Sequence, residues 1–307
     1  MPDIRKAAAA HKDLEIRERV EAAILAIMRR SGTSKSTGLK MALIEAGGFR
    51  MGDPGAARQG RGELAHGVGI THPFLLGIHE VTQDLYRRVM AAEPSGFSMG
   101  GDREAKIKGM ETGTFPVEEV AWFDCLEFCN RLSRLDGYPP CYELTDVKRE
   151  GDSITGARAT IVGGNGYRLP TEAQWEYACR AGTVGMYHYG ERNTGREANL
   201  RGRTSYASGP SFKSLDRPAK VGSYPANAWG LYDMHGNVGE WCWDWYGKDY
   251  YGQSPPSDPQ GPDRGDQRVV RGGSWLDAET ACRSASRFWL TPDERKDHVG
   301  FRVARMP

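Results

Sequence analysis

The chain has 307 residues, enough for one large domain or two small ones with a substantial core. Its 41 Lys and Arg balance 40 Asp and Glu, which argues against a basic nucleic-acid surface. With 39 Gly, 8 Trp and no long apolar run, the composition points to a loop-rich soluble fold without a membrane span. The acidic start "MPDIRKAAAAHKDLEIRERV" does not fit a secretion signal, so a cytoplasmic setting is expected.

Taken in chain order, Val20, Ala23, Ile24, Ile27 and Met28 form one apolar stripe and predict a helix over roughly 12–30. Acids lead it and Arg29–Arg30 close it before Gly32, matching the helix dipole. The helix is a candidate for docking on the main body or for self-association. "SGTSKSTG" then reads as a linker, giving a helical extension and linker over 1–40 and a main domain over 41–307. Short apolar runs at Ala42–Ile44, Phe74–Ile78, Val269–Arg271 and Gly300–Val303 predict strands. "TQDLYRRVMAA" and "WFDCLEFCNRLSRLDG" predict helices, and "TEAQWEYACRAG" a shorter one, with Thr171 and Gln174 at capping-box spacing. Residues 181–265 read as mostly loop, which must be fixed by aromatics, turn hydrogen bonds or bound ions.

Six cysteines are too few for a disulfide scaffold of this length. Cys125 and Cys129 share one helix face without His or Cys partners at zinc spacing, so they read as buried thiols rather than a metal site.

Seven stretches in order carry a family likeness: "GGFRMG", "PFLLGIHEVTQDLYRRVM", "FPVEEVAWFDCLEFCNRLS", "GYRLPTEAQWEYACRAGT", "WGLYDMHGNVGEWCWDWYG", "RVVRGGSW" and "VGFRVAR". Together they resemble the formylglycine-generating enzyme (sulfatase-modifying factor) family. The resemblance implies an α+β fold of the C-type-lectin type, with a small twisted sheet, two or three helices and long ordered loops. It also implies, for catalytic members, a copper-holding cysteine pair after the "GGS" turn, since soft thiolates select Cu(I). Here Asp277 stands in the first position, and Cys282 reads as a core thiol. No copper is therefore expected. The iron-binding branch needs three histidines and a helical bundle, for which this chain offers neither the spacing nor the length, so no iron is expected either. The same resemblance implies a structural calcium held by Asn237, Glu240 and the carbonyls of Val238 and Gly239, and hard oxygen donors suit that ion. The alternative is that Asn237 closes a turn and Glu240 pairs with an arginine.

Among functions, a binding protein comes first, for an unknown protein or small ligand and not for nucleic acid or membrane. Some relatives are retroelement-diversified variable proteins that display this C-terminal segment. "VVRGG" and "VGFRVAR" are expected to pair as strands with Arg271 and Arg302 on a common face, leaving the 275–298 excursion as a displayed surface. Trp275, Leu276, Asp277, Ser286, Phe288, Leu290, Lys296 and His298 are the candidates to face a ligand, with Trp289 turned inward; the alternative is that the aromatics of Phe288–Leu290 all pack inward as the loop's own core. Two alternatives stay open: an oxidoreductase of this family with an atypical site using Ser274, Asp277, Cys282 and Arg287, or an accessory domain of a larger assembly.

Overall fold

A computed structural model describes residues 31–55, 62–202 and 212–307. The helix expected over 12–30 lies outside the described residues. Among the described residues, three α-helices, α1 (Gln83–Met90), α2 (Trp122–Leu135) and α3 (Glu172–Arg180), are set among four small sheets. All three were expected from the sequence. At α1, Thr82 Oγ1 accepts from Leu85 N–H. At α3 the capping box closes in both directions: Thr171 Oγ1 accepts from Gln174 N–H, and Gln174 Oε1 accepts from Thr171 N–H. On α2, an Asp124 carboxylate oxygen accepts from Ala121 N–H, the N3 half of a capping box whose N-cap side chain is a bare methyl.

The first sheet runs β1 (Ser31–Thr33), β2 (Lys40–Ile44), β5 (Phe74–Gly77), β13 (Ala304–Arg305), β8 (Tyr167–Arg168). The stretch expected as linker thus supplies an edge strand, because Ser31–Thr33 pairs antiparallel with Lys40–Ala42. Two hairpins that the sequence did not announce follow, β3 (Gly47–Met51) with β4 (His66–Ile70) and β6 (Tyr142–Glu150) with β7 (Ser153–Ile161). The second sheet holds the C-terminal segment in the order β11 (Arg287–Leu290), β10 (Arg268–Arg271), β9 (Gly239–Trp245), β12 (Val299–Gly300). The two strands expected to be neighbours are therefore separated by β9, which pairs with both. Arg271 and Arg302 accordingly enter different ionic groups: Arg271 meets Glu176, whereas Arg302 meets Glu240.

One core cluster packs α1 and α2 against the second sheet, around Trp122, Phe128, Trp241 and Phe301. Another packs α3 between the two main sheets, around Trp175, Phe74, Leu76 and Val269. Cys125 and Cys129 are fully buried in the first, as small apolar residues. Arg268 lies between two indoles, its guanidinium carbon 3.7 Å from the Trp122 ring centre and 3.3 Å from that of Trp245.

Candidate binding groove on the C-terminal segment

The strand β10 ends in Gly272 (φ 92°) and Gly273 (φ 68°), a left-handed pair that turns the chain away from the sheet. A methyl group at Gly273 would sit 2.4 Å from Cys282 Sγ, so backbone and thiol pack in direct contact there. This turn lays Trp275 into a satellite apolar cluster with Phe97, Ile107 and Phe115. Expected to face a ligand, Trp275 is only 6% exposed and stands edge-on to Phe97. Leu276, beside it, is exposed. Asp277 is half-buried and accepts from Ser274 Oγ at 2.6 Å.

Cys282 is fully buried beside Ala198 and Leu200, and burial pushes its thiol well above the ordinary range. A thiol held protonated is a poor nucleophile. Among the atypical catalytic set, Ser274 and Asp277 are in contact, and Cys282 lies behind them. Arg287 is committed elsewhere, forking onto Glu172 at 2.6 and 2.8 Å. The nearest imidazole to Cys282, His235, is pushed down to about 3 by burial, and its Nδ1 is 2.8 Å from the Cys282 carbonyl. It offers neither Ser274 nor Cys282 a base.

The strand β11 reverses the expected facing. Opposite Val270, Phe288 is half-buried and packs on the first core cluster, as does Leu290. Trp289, one residue out of phase, points the other way, is 42% exposed, and stacks on Tyr246 with ring centres 4.1 Å apart. Because the period of a strand is two, fixing Arg287 on buried Glu172 decides the side of every residue after it. Ser286, also expected outside, is buried at the start of this strand. Lys296 and His298, on the way back, are half-buried and paired with Glu294 and Asp297.

Together these residues leave a surface groove of about 740 Å³, lined by Tyr246, Lys248, Gln267, Arg287, Phe288 and Trp289. Its aromatic wall is anchored from beneath. The Arg287 guanidinium carbon is 4.8 Å from the Tyr246 ring centre and 4.1 Å from that of Tyr251, so the series Glu172, Arg287, Tyr246, Trp289 runs from the core to the surface. Tyr246, Lys248 and Gln267 lie outside 275–298. Only the pairing of β9, β10 and β11 brings them there, so no reading confined to the segment could have found them.

The calcium expected at Asn237, Val238, Gly239 and Glu240 does not fit the donors present. Both Glu240 oxygens are taken: Arg302 donates through Nη2 at 2.5 Å and Nε at 2.6 Å, and the Trp175 indole N–H donates at 2.7 Å. Asn237 takes a left-handed backbone (φ 59°), and its Oδ1 accepts from Ala219 N–H and Asn199 Nδ2. Its own carbonyl accepts from Trp275 N–H, while Gly239 pairs with Val299 across the sheet. Val238 is fully buried between them. A guanidinium already supplies the positive charge that the ion would bring. Asn237 closes a turn, and Glu240 pairs with an arginine.

Residues 29–307 match the model of the sulfatase-modifying factor enzyme 1-like domain. The chain is 34% identical over 220 residues to a chaperone protein LppX of Paenibacillus barcinonensis, covering 66% of this chain and 69% of that protein. It is 44% identical over 147 residues to a formylglycine-generating enzyme of Streptomyces coelicolor, but this spans 45% of the chain and only 46% of the enzyme. A serine/threonine-protein kinase pkn1 of Chlamydia pneumoniae is 33% identical over 87% of this chain, which spans 38% of that kinase. Among solved structures, Treponema denticola variable protein 1 superposes with a TM-score of 0.74 at 31% identity, over 90% of this chain and 98% of that one. PvdO from Pseudomonas aeruginosa shares the fold, with a TM-score of 0.66 at 24% identity over 90% of this chain and 98% of that one.

Proposed function

We propose a binding function for this chain, which belongs to the sulfatase-modifying factor enzyme 1-like family and has its α+β, C-type-lectin-like fold. The ligand- or protein-binding surface is the groove under Trp289. One observation carries this reading: a large aromatic side chain on an edge strand is 42% exposed, yet held rigid by a stack on Tyr246. A rigid aromatic beside Lys248 and Gln267 combines contact area with polar handles at small entropic cost, as binding surfaces favour. The likeness to a variable protein supports the same reading.

The test is a comparison of peptide and glycan arrays probed with the wild type and with Trp289→Ala. A set of spots kept by the wild type and lost by the variant supports the groove. Identical patterns, or no spot that depends on Trp289, would sink it. The oxidoreductase alternative is tested alongside, by incubating the protein with copper, oxygen and a cysteine peptide of the sulfatase type. The thiol is expected to remain intact, because Asp277 stands where a thiolate is needed and Cys282 is buried and protonated. Formylglycine in the product's mass spectrum would overturn that expectation.

A further inference from the structure

The molecule buries many arginines, and nearly all are compensated. Arg180, Arg271, Arg283, Arg287 and Arg302 each reach a carboxylate within the core, and Arg268 has its indoles. Arg168, on β8, has neither. Its Nη1 donates to two neutral acceptors, the Leu169 carbonyl at 3.0 Å and Gln174 Oε1 at 2.8 Å. Among the described residues no carboxylate pairs with it, and Nε and Nη2 carry no protein hydrogen bond. Burial works against its charge and lowers its pKa. Asp244 acts on it only through space, and a half-buried guanidinium with no bonded carboxylate is stabilised by a hydrogen-bonded anion.

Arg168 lines a cavity of about 280 Å³ that is separate from the Trp289 groove. Leu169, Trp243 and Met306 give it an apolar floor, and exposed His72 and Gln260 stand at its rim. Asp258 also lines it, but both of its oxygens accept from Thr71, through N–H at 2.9 Å and through Oγ1. The N–H groups of Thr171 and Gln174 at the start of α3 are closed by its own capping box, so they do not compete for a ligand. The guanidinium is the charged donor left over.

We infer that this cavity binds a small organic carboxylate with an apolar or single-ring body, its carboxylate on Arg168 and its body on Trp243. A guanidinium whose Nε–Nη2 edge is free matches a carboxylate in geometry as well as charge. The apolar floor and the volume select a compact apolar body over a bare inorganic anion.

Benzoate is the probe, with benzamide as its neutral counterpart, titrated by calorimetry into the full chain. Saturable binding at one site is expected, with a Kd of about 10 mM or tighter for a ligand of this size. Benzamide should bind at least about tenfold more weakly, the worth of one charge-assisted hydrogen bond. Arg168→Gln should weaken benzoate by the same factor. Should that variant fail to fold, Ile161→Glu keeps the test open. Ile161 lines the cavity at an exposed strand end, 41% accessible, so the change spares the core while offering Arg168 a competing carboxylate. It should abolish benzoate binding and leave the melting temperature unchanged. No saturable binding to the wild type, equal affinity for benzamide, or unweakened binding to both variants would each overturn the assignment.

Discussion

At the scale of single residues, the informative case is the run Arg287, Phe288, Trp289, Leu290. Composition alone allows either Phe288 and Leu290 or Trp289 to face out. The decision is electrostatic: Glu172 is buried and must be paired, so Arg287 faces it, and alternation places Trp289 on that same side, stacked on Tyr246 where the groove opens, while Phe288 and Leu290 fall on the core side. Stability should divide the same way. Changing Phe288 and Leu290 together to Ser removes apolar area packed on the core and should cost about 3 kcal/mol. Trp289→Ala forfeits one ring stack at a half-open site and should cost about 1 kcal/mol or less. Urea titrations of the two variants check this, and equal losses would contradict the assignment of faces.

At the scale of elements, α3 and β9 form the centre of an ionic lattice. Glu172 and Glu176 on the helix meet Arg287, Arg271 and Arg180, while Asp244 on β9 accepts from Glu172 N–H at 2.7 Å. Burial first, and then the charge of Glu172, push Asp244 up to about 8, with Arg287 opposing. The folded state therefore holds a proton between pH about 4 and about 8 that the unfolded chain has lost. The unfolded state binds fewer protons in that window, so this group lowers stability as pH rises, by at most about 1.4 kcal/mol per pH unit. Asp244→Asn keeps an oxygen for Glu172 N–H and removes the titration. Its gain in melting temperature over the wild type should be larger at pH 8 than at pH 5, and parallel curves would refute the shift. Helices were the elements most readable in advance, because stripe, cap and stop signals are local. The β6–β7 hairpin was not, since most of β6 is exposed and no alternation marks it. β9 escaped for the opposite reason: "GEWCWDW" is buried on both faces along most of its length, so it lacks the alternation of a half-buried strand.

At the scale of the whole molecule, the family likeness gave the architecture that no single window could, because small sheets in a loop-rich chain leave weak periodic signals. It also suggested an ion at 237–240, where Arg302 pairs with Glu240. Glu240 lies at the junction of that centre, tied to Trp175 on α3 and to Arg302 before the last strand. Around it, Glu80 is fully buried and donated to by Asn237 Nδ2 at 3.0 Å, and burial, then the nearby charge of Asp233, raises its carboxyl well above the usual range. Arg302 is the cation bonded to Glu240 through two N–H donors. Chelation by EDTA should therefore leave the melting temperature of the purified protein within about 1 °C, since an ion absent from the native state contributes no linkage. Arg302→Met should instead lower stability by about 3–5 kcal/mol, because it strands a buried carboxylate that two guanidinium bonds had compensated. Calorimetry with and without chelator, on both proteins, separates the cases. A fall in the wild-type melting temperature on chelation, restored by calcium, would place an ion at the centre in spite of these bonds. A wild type indifferent to chelation beside a crippled Arg302→Met protein identifies the arginine as the cation on which the fold is assembled.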